Sequence, residues 1–387
     1  MNRRLIVPLI LLLIVIVAVT LIPAVTSSIQ SSLPQVTPTA TPVPFVTINC
    51  IIGSEKQPFF NDPEVIRALR EDYQIAVTFT TAGSINMVTT LPTEELRSQQ
   101  VDCLSPSNNS ASTLFERYHS RTDFPGYQTA DVFYSPLVVL AVAEARDAQM
   151  RAGVVQERNG YYYIIDVGRL GDQIINRTLW TDLDPSATLR GPIKVGSTDP
   201  AASNSGNLLY FLLGNAFAGD ASQALQMSDL PTVLPLLSNV KDSQGLQANR
   251  SEDFFNRWIS GVAEYQYPLG WVYESQILEY SNLSGVDFQS RLNSEFSILY
   301  PEPGVYSVHQ FIALSPNGQR LIAALQTPAL QQLAWDHGFR SLTAGVVNDQ
   351  QVFPNLRVPT RLTAVTSLPD APVIERIVAC LKDDTQC

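Results

Sequence analysis

Residues 193–217, "IKVGSTDPAASNSGNLLYFLLGNAF", decide the fold class. "IKVG" reads as a buried strand and "NLLYFLLGNAF" as a helix, with a loop of small hydroxyl, amide and acid groups between them. A helix start leaves its first N–H groups without intrahelical partners. Ser203, Asn204 or Ser205 is therefore expected to cap the helix that begins near Gly206. Thr198 and Asp199 exceed what a cap requires, so the loop is also expected to line a polar site.

The same grammar governs the first part of the chain. "FVTINCII" is a continuous apolar run that ends at Gly53-Ser54-Glu55. A helix follows in "NDPEVIRALREDY", with Asp62 as N-cap, Pro63 at its first position, and Val65, Ile66 and Leu69 on one face. "IAVTFTT" ends at Gly83-Ser84 after Ala82, the helical "PTEELRSQQ" comes next, and "VDCL" ends at Ser105-Pro106-Ser107. Strands alternating with helices predict an α/β fold with parallel sheets flanked by helices. In such sheets ligands collect outside the carboxyl ends of the strands.

Two long strand-like runs, "DVFYSPLVVLAVAEA" and "VYSVHQFIALSP", stand far apart in the chain and are read as crossing segments. They divide it into a first lobe over 46–137, a second over 138–305, and a return to the first over 306–387. The returning "PNGQRLIAALQTPALQQLAWDHGFR" predicts two short helices broken at Thr327-Pro328.

The ends of the chain set its compartment. "MNRRLIVPLILLLIVIVAVTLIPAV" places Arg3 and Arg4 before an uncharged run from Leu5 to Val25, long enough to span a bilayer. Residues 1–27 are read as a transmembrane anchor, with a cleaved signal as the alternative. Residues 28–45, rich in Pro and Thr, form a stalk. An extracytoplasmic location, tethered or secreted, follows. Four cysteines suit an oxidising compartment. Cys380 and Cys387 could close a terminal loop, and Cys50 and Cys103 are either a second disulfide or two buried thiols. The net charge of −11 argues against nucleic acid as a partner. His119, His309 and His337 are scattered and read as structural, and neither cysteine spacing resembles a metal site. Tyr161, Tyr162 and Tyr163 read as a strand, and Trp271 and Trp335 as packing residues.

In their order, "GSE" (53–55), "GS" (83–84), "SPS" (105–107), "YSPLVVLAV" (134–142), "STDPAASNSG" (197–206), "WVYESQIL" (271–278) and "ALQTPALQQLAWDHGFR" (324–340) resemble extracytoplasmic solute-binding proteins of the type II periplasmic-binding fold. The resemblance covers about residues 46 to 345. It implies two α/β lobes, each a mainly parallel sheet flanked by helices, joined by two crossover segments and closing on a small ligand. It also implies delivery to a membrane transporter, commonly ATP-driven. The chain departs from the pattern in lacking a lipid-anchor cysteine and in its tail after about residue 345.

Candidate ligand contacts in the first lobe are Ser54, Glu55, Ser84, Ser105 and Ser107, with Ser135 at the predicted hinge. In the second lobe they are Thr198, Asp199, Ser203, Ser205, Tyr273 and Glu274. Hydroxyls and helix N-termini suit an oxyanion, whereas Glu55, Asp199 and Glu274 suit a cationic group. The acids must find partners, in a ligand or in Lys56 or Lys194. The ligand is thus a small polar solute of unassigned charge. A membrane-tethered sensor or interaction module of the same fold, signalling to a membrane protein, is the alternative. No nucleophile elbow or metal spacing supports an enzyme, and no cofactor is implied.

Overall fold

β1 (Val46–Ile52) pairs in parallel with β2 (Ile75–Thr81) on one side and with β3 (Cys103–Ser105) on the other. Its side chains alternate between two cores. Ile48, Cys50 and Ile52 meet Val65, Leu69, Leu321 and Leu325, while Ile51 joins Met87, Leu114 and Phe115 on the opposite face. Burial on both faces explains why the strand reads as an unbroken apolar run. Cys50 and Cys103 are register partners and form a disulfide, as do Cys380 and Cys387, so the buried-thiol alternative is excluded. The coordinates, a computed structural model, describe residues 44–108, 110–245, 247–261, 264–284, 286–292, 294–341, 343, 346, 348–353, 356–362 and 364–387. The apolar run from Leu5 to Val25 and nearly all of the stalk lie outside these residues. Among the described residues no helix is long and apolar enough to cross a membrane.

The helix Pro63–Tyr73 starts as expected, with the Asp62 carboxylate accepting from the N–H groups of Glu64 and Val65. Its buried face is Val65, Ala68 and Leu69; Ile66 is 47% exposed, contrary to the sequence reading. The helices Pro316–Leu325 and Pro328–Asp336 break at Thr327-Pro328, as expected, and cover the same face of the sheet.

β4 (Gln128–Val142) is fifteen residues long and serves two neighbourhoods. Its first part pairs with β10 (Tyr306–Ala313), which in turn pairs with β3. Its last residues pair with β8 (Leu269–Tyr273) and β9 (Phe296–Pro301) on its two edges. There Leu137, Val139 and Ala141 face one core and Val138 and Leu140 another, the two-residue period of a strand buried on both sides. β5 (Val155–Arg158) and β6 (Tyr161–Ile164) extend the sheet beyond β9, and β7 (Val195–Gly196) flanks β8. The sheet is more mixed than expected. The β2–β1–β3, β6–β9 and β7–β8 ladders are parallel, whereas every ladder of β4 and β10 is antiparallel, as is the β5–β6 hairpin.

The helix Asn204–Phe217 is buried from Asn204 to Asn215 on all sides, which accounts for its apolar character throughout. "IKVG" contributes only the two residues of β7 to the sheet. The tail carries the helix Ala371–Lys382, whose Val373, Ile374, Ile377 and Leu381 complete the core around Leu234 and Leu237.

Candidate functional site

At the carboxyl end of β1 the chain makes a tight turn over Ser54–Lys56, pinned by the Gly53 N–H donating to the Ser105 carbonyl at 3.0 Å. The turn drives two charged neighbours inward. Lys56 is fully buried and Glu55 nearly so. The Lys56 ammonium has three protons and three acceptors: Glu55 Oε1 at 2.5 Å, Ser107 Oγ at 3.0 Å and the Ser105 carbonyl at 3.1 Å. Ser107 Oγ donates to the same Glu55 oxygen. His309 Nδ1 stands 3.3 Å from it without a hydrogen bond of good alignment.

Space for the carboxylate comes from Gly53. A Cβ on that residue would lie 2.5 and 2.6 Å from the two Glu55 oxygens. Burial alone would raise Glu55, but the Lys56 charge, helped by His309, holds it far below the usual carboxylate range. His309 is pushed down to about 4 by burial and by the Lys56 charge, so its imidazole is neutral.

The second half of the chain meets this turn at Ser107. Asn204 Nδ2, at the first position of its helix, donates to the Ser107 carbonyl at 2.5 Å and to Tyr273 OH at 3.0 Å. Ser307 Oγ donates to the same carbonyl at 2.6 Å and lies 3.2 Å from His309 Nε2. The Ser107 N–H donates to Ser84 Oγ at 2.9 Å. Beside it a Cβ on Gly83 would fall well inside contact distance of the Ala202 carbonyl oxygen, so the two loops touch backbone to backbone. The Ser105 hydroxyl and Asn204 Oδ1 are buried without a hydrogen-bond partner.

Solved structures with this architecture include the sulfate-binding protein of Mycobacterium tuberculosis H37Rv. It has 10% identity and a TM-score of 0.51, over 85% of this chain and 96% of its own. The apo ferric ion-binding protein A of Pasteurella haemolytica matches at 14% identity with a TM-score of 0.51, over 88% and 97%. A periplasmic thiamin-binding protein matches at 12% identity and 0.50, over 88% and 98%. The fold is the type II periplasmic-binding fold. No protein-family model and no curated protein matches the sequence.

Within this periplasmic-binding fold the expected site residues fall into two groups. Glu55, Ser84, Ser105, Ser107 and Tyr273 converge on one buried cluster, and Ser54 lies in its turn. The others make contacts outside that cluster. Thr198 Oγ1 accepts from the Gly206 N–H at 2.8 Å and bonds Ser205 Oγ at 2.7 Å. The cap of that helix is thus Thr198, not Ser203, which stands at the N-cap without a side-chain capping bond. The Asp199 carboxylate accepts from the Ala201 N–H at 2.9 Å and shapes its own loop. Ser135 Oγ accepts from the Ser275 N–H at 3.0 Å, at the start of the helix Glu274–Ser284. Glu274 is held by Arg340, at 2.6 and 2.9 Å, and by Tyr300 OH at 2.7 Å, so neither Lys56 nor Lys194 is its partner.

Sequence reading missed three members of the cluster. In the sequence Asn204 reads only as a cap, and Ser307 and His309 lie inside an apolar strand. Their i, i+2 spacing puts both on one face of β10, Ser307 opposite Ser135 and His309 opposite Phe133, a period-two signal present in the sequence.

Proposed function

We propose that the chain is a non-catalytic, extracytoplasmic binding protein that closes two lobes over a small polar solute. The lobes are residues 46–137 with 306–387, and residues 138–305. The observation that supports this reading best is the Ser107 carbonyl. It receives Asn204 Nδ2 from the second lobe and Ser307 Oγ from a crossing strand, so strand ends remote in sequence meet at one atom. Asn204 Oδ1 and the Ser105 hydroxyl, buried without partners, are where a solute's donors would be recognised, since an unmet buried polar group costs about 1–3 kcal/mol. Delivery to a membrane transporter, with residues 1–27 as tether and 28–45 as stalk, completes the proposal.

The test is thermal-shift screening of the chain against sugars, amines, amino acids, oxyanions and metal ions. A ligand of the native form raises the melting temperature. The expected hit loses about tenfold or more in affinity on Asn204→Ala. A hit of unchanged affinity in Asn204→Ala and Ser105→Ala would place recognition elsewhere and defeat the proposal.

A further inference from the structure

We propose that the Glu55 carboxylate is a built-in anion, filling the seat that the strand-end donors offer, so that this site refuses oxyanions and takes a solute without net negative charge. The clause about the solute rests on the functional reading above; the filled seat does not. Three observations carry the inference. First, the donors converge on one carboxylate oxygen: Lys56 Nζ and Ser107 Oγ bond it, and His309 stands beside it. Second, both carboxylate oxygens rest against the bare main chain of Gly53, in a recess that a side chain at residue 53 would fill. Third, every Lys56 proton already has a protein acceptor, so an arriving oxyanion finds no free cation and meets the Glu55 charge.

An anion binds where charged or neutral donors remain free to point at it. Here the polar atoms left over include Asn204 Oδ1, which can only accept, and the Ser105 hydroxyl. A solute carrying hydroxyl, amide or ammonium protons matches Asn204 Oδ1. A sulfate or phosphate does not, and of these two groups the Ser105 hydroxyl alone has a proton to offer it.

Removing the carboxylate while keeping the recess should create an anion site. Melting temperatures of the wild type, Glu55→Ala, and Glu55→Ala with Lys56→Met are measured in sodium formate, with sodium chloride holding the ionic strength. Glu55→Ala is expected to melt lower than wild type and to regain several degrees in formate, saturably. The wild type and the double variant are expected not to respond. Formate raising the wild type as much as Glu55→Ala, or leaving a folded Glu55→Ala unmoved, would overturn the inference.

Should Glu55→Ala not fold, Glu55→Gln keeps the shape and removes the charge. Its affinity for sulfate is then expected to exceed that of wild type by about tenfold or more, and equal affinities would overturn the filled seat. The two proposals fail separately. Formate rescue can succeed while no solute depends on Asn204, and a solute can depend on Asn204 while formate does nothing.

Discussion

Ser107 engages each of its polar atoms: its N–H with Ser84, its hydroxyl with Lys56 and Glu55, its carbonyl with Asn204 and Ser307. Such a residue tolerates little movement of the loops around it, and two neighbours test that. At Gly83 a methyl group would collide with the main-chain oxygen of Ala202, which has no flexible end to swing aside. Gly83→Ala is therefore expected to part the loops and to cost about 1–3 kcal/mol, the usual range for overpacking, in urea unfolding. An unchanged midpoint would show that the loops separate freely. Thr198→Val removes the acceptor for the Gly206 N–H while keeping the shape. It should cost about 1 kcal/mol, with Thr198→Ser losing much less, because the capping hydroxyl is what matters. A loss in Thr198→Ser as large as expected of Thr198→Val, with Thr198→Val nearly unchanged, would assign the effect to the methyl group instead.

At the scale of elements, His337 ties three helices together. Its Nδ1 bonds Glu279 of Glu274–Ser284 at 2.7 Å, its Nε2 lies 3.4 Å from Asp62 at the start of Pro63–Tyr73, and it follows directly on Pro328–Asp336. Burial would lower it, but Glu279, with Asp62 and Asp336 near, carries it above the ordinary value of 6.5. A raised value means the fold favours the protonated form, so this stabilisation is complete below pH 6.5 and fades as the pH climbs through the folded value. Glu279, raised mainly by burial, acts in the same sense, whereas His309, lowered, adds stability above 6.5 that is lost as the pH falls toward 4. The unfolding free energy of wild type minus His337→Gln should accordingly be largest near about pH 5.5 and shrink toward about pH 8.5. A difference that grows with pH would refute the assignment.

The same elements show why the site was only half legible. Asp62-Pro63 announces its helix through local chemistry, and the loops after β1 and β3 are marked by Gly, Ser and Pro. Whether Glu55 and Lys56 turn inward together depends on acceptors supplied by residues 105 and 107, about fifty positions away. Asp199 accepts from the Ala201 N–H, and an acid that folds its own loop has the same sequence signature as one that meets a ligand.

On the scale of the whole molecule, the tail that the resemblance left unmatched joins the two halves of the chain. The helix Ala371–Lys382 packs its Ile374, Ile377 and Leu381 into a core shared by Leu114 and Phe115, from the segment before β4, and by Leu234 and Leu237, from the segment after it. Arg117 and Glu375 pair across the first contact at 2.6 Å, and Lys241 Nζ donates to the Leu381 carbonyl across the second. The helix thus acts as a strap over both parts, and Cys380–Cys387 closes its free end. Val373, Ile374, Ile377 and Leu381 are each 1% exposed or less. At about 1.5–3 kcal/mol for each buried side chain, their loss amounts to about 6 kcal/mol or more. That is a large share of the about 5–15 kcal/mol by which domains are stable. A chain ending at residue 370 is therefore expected to melt far below the full chain, to bind an apolar dye at the uncovered core, and to scatter X-rays as a larger particle. If it melted within a degree or two of the full chain at unchanged radius of gyration, the strap would be an appendage and the shared strand β4 with its neighbours would hold the halves together without it.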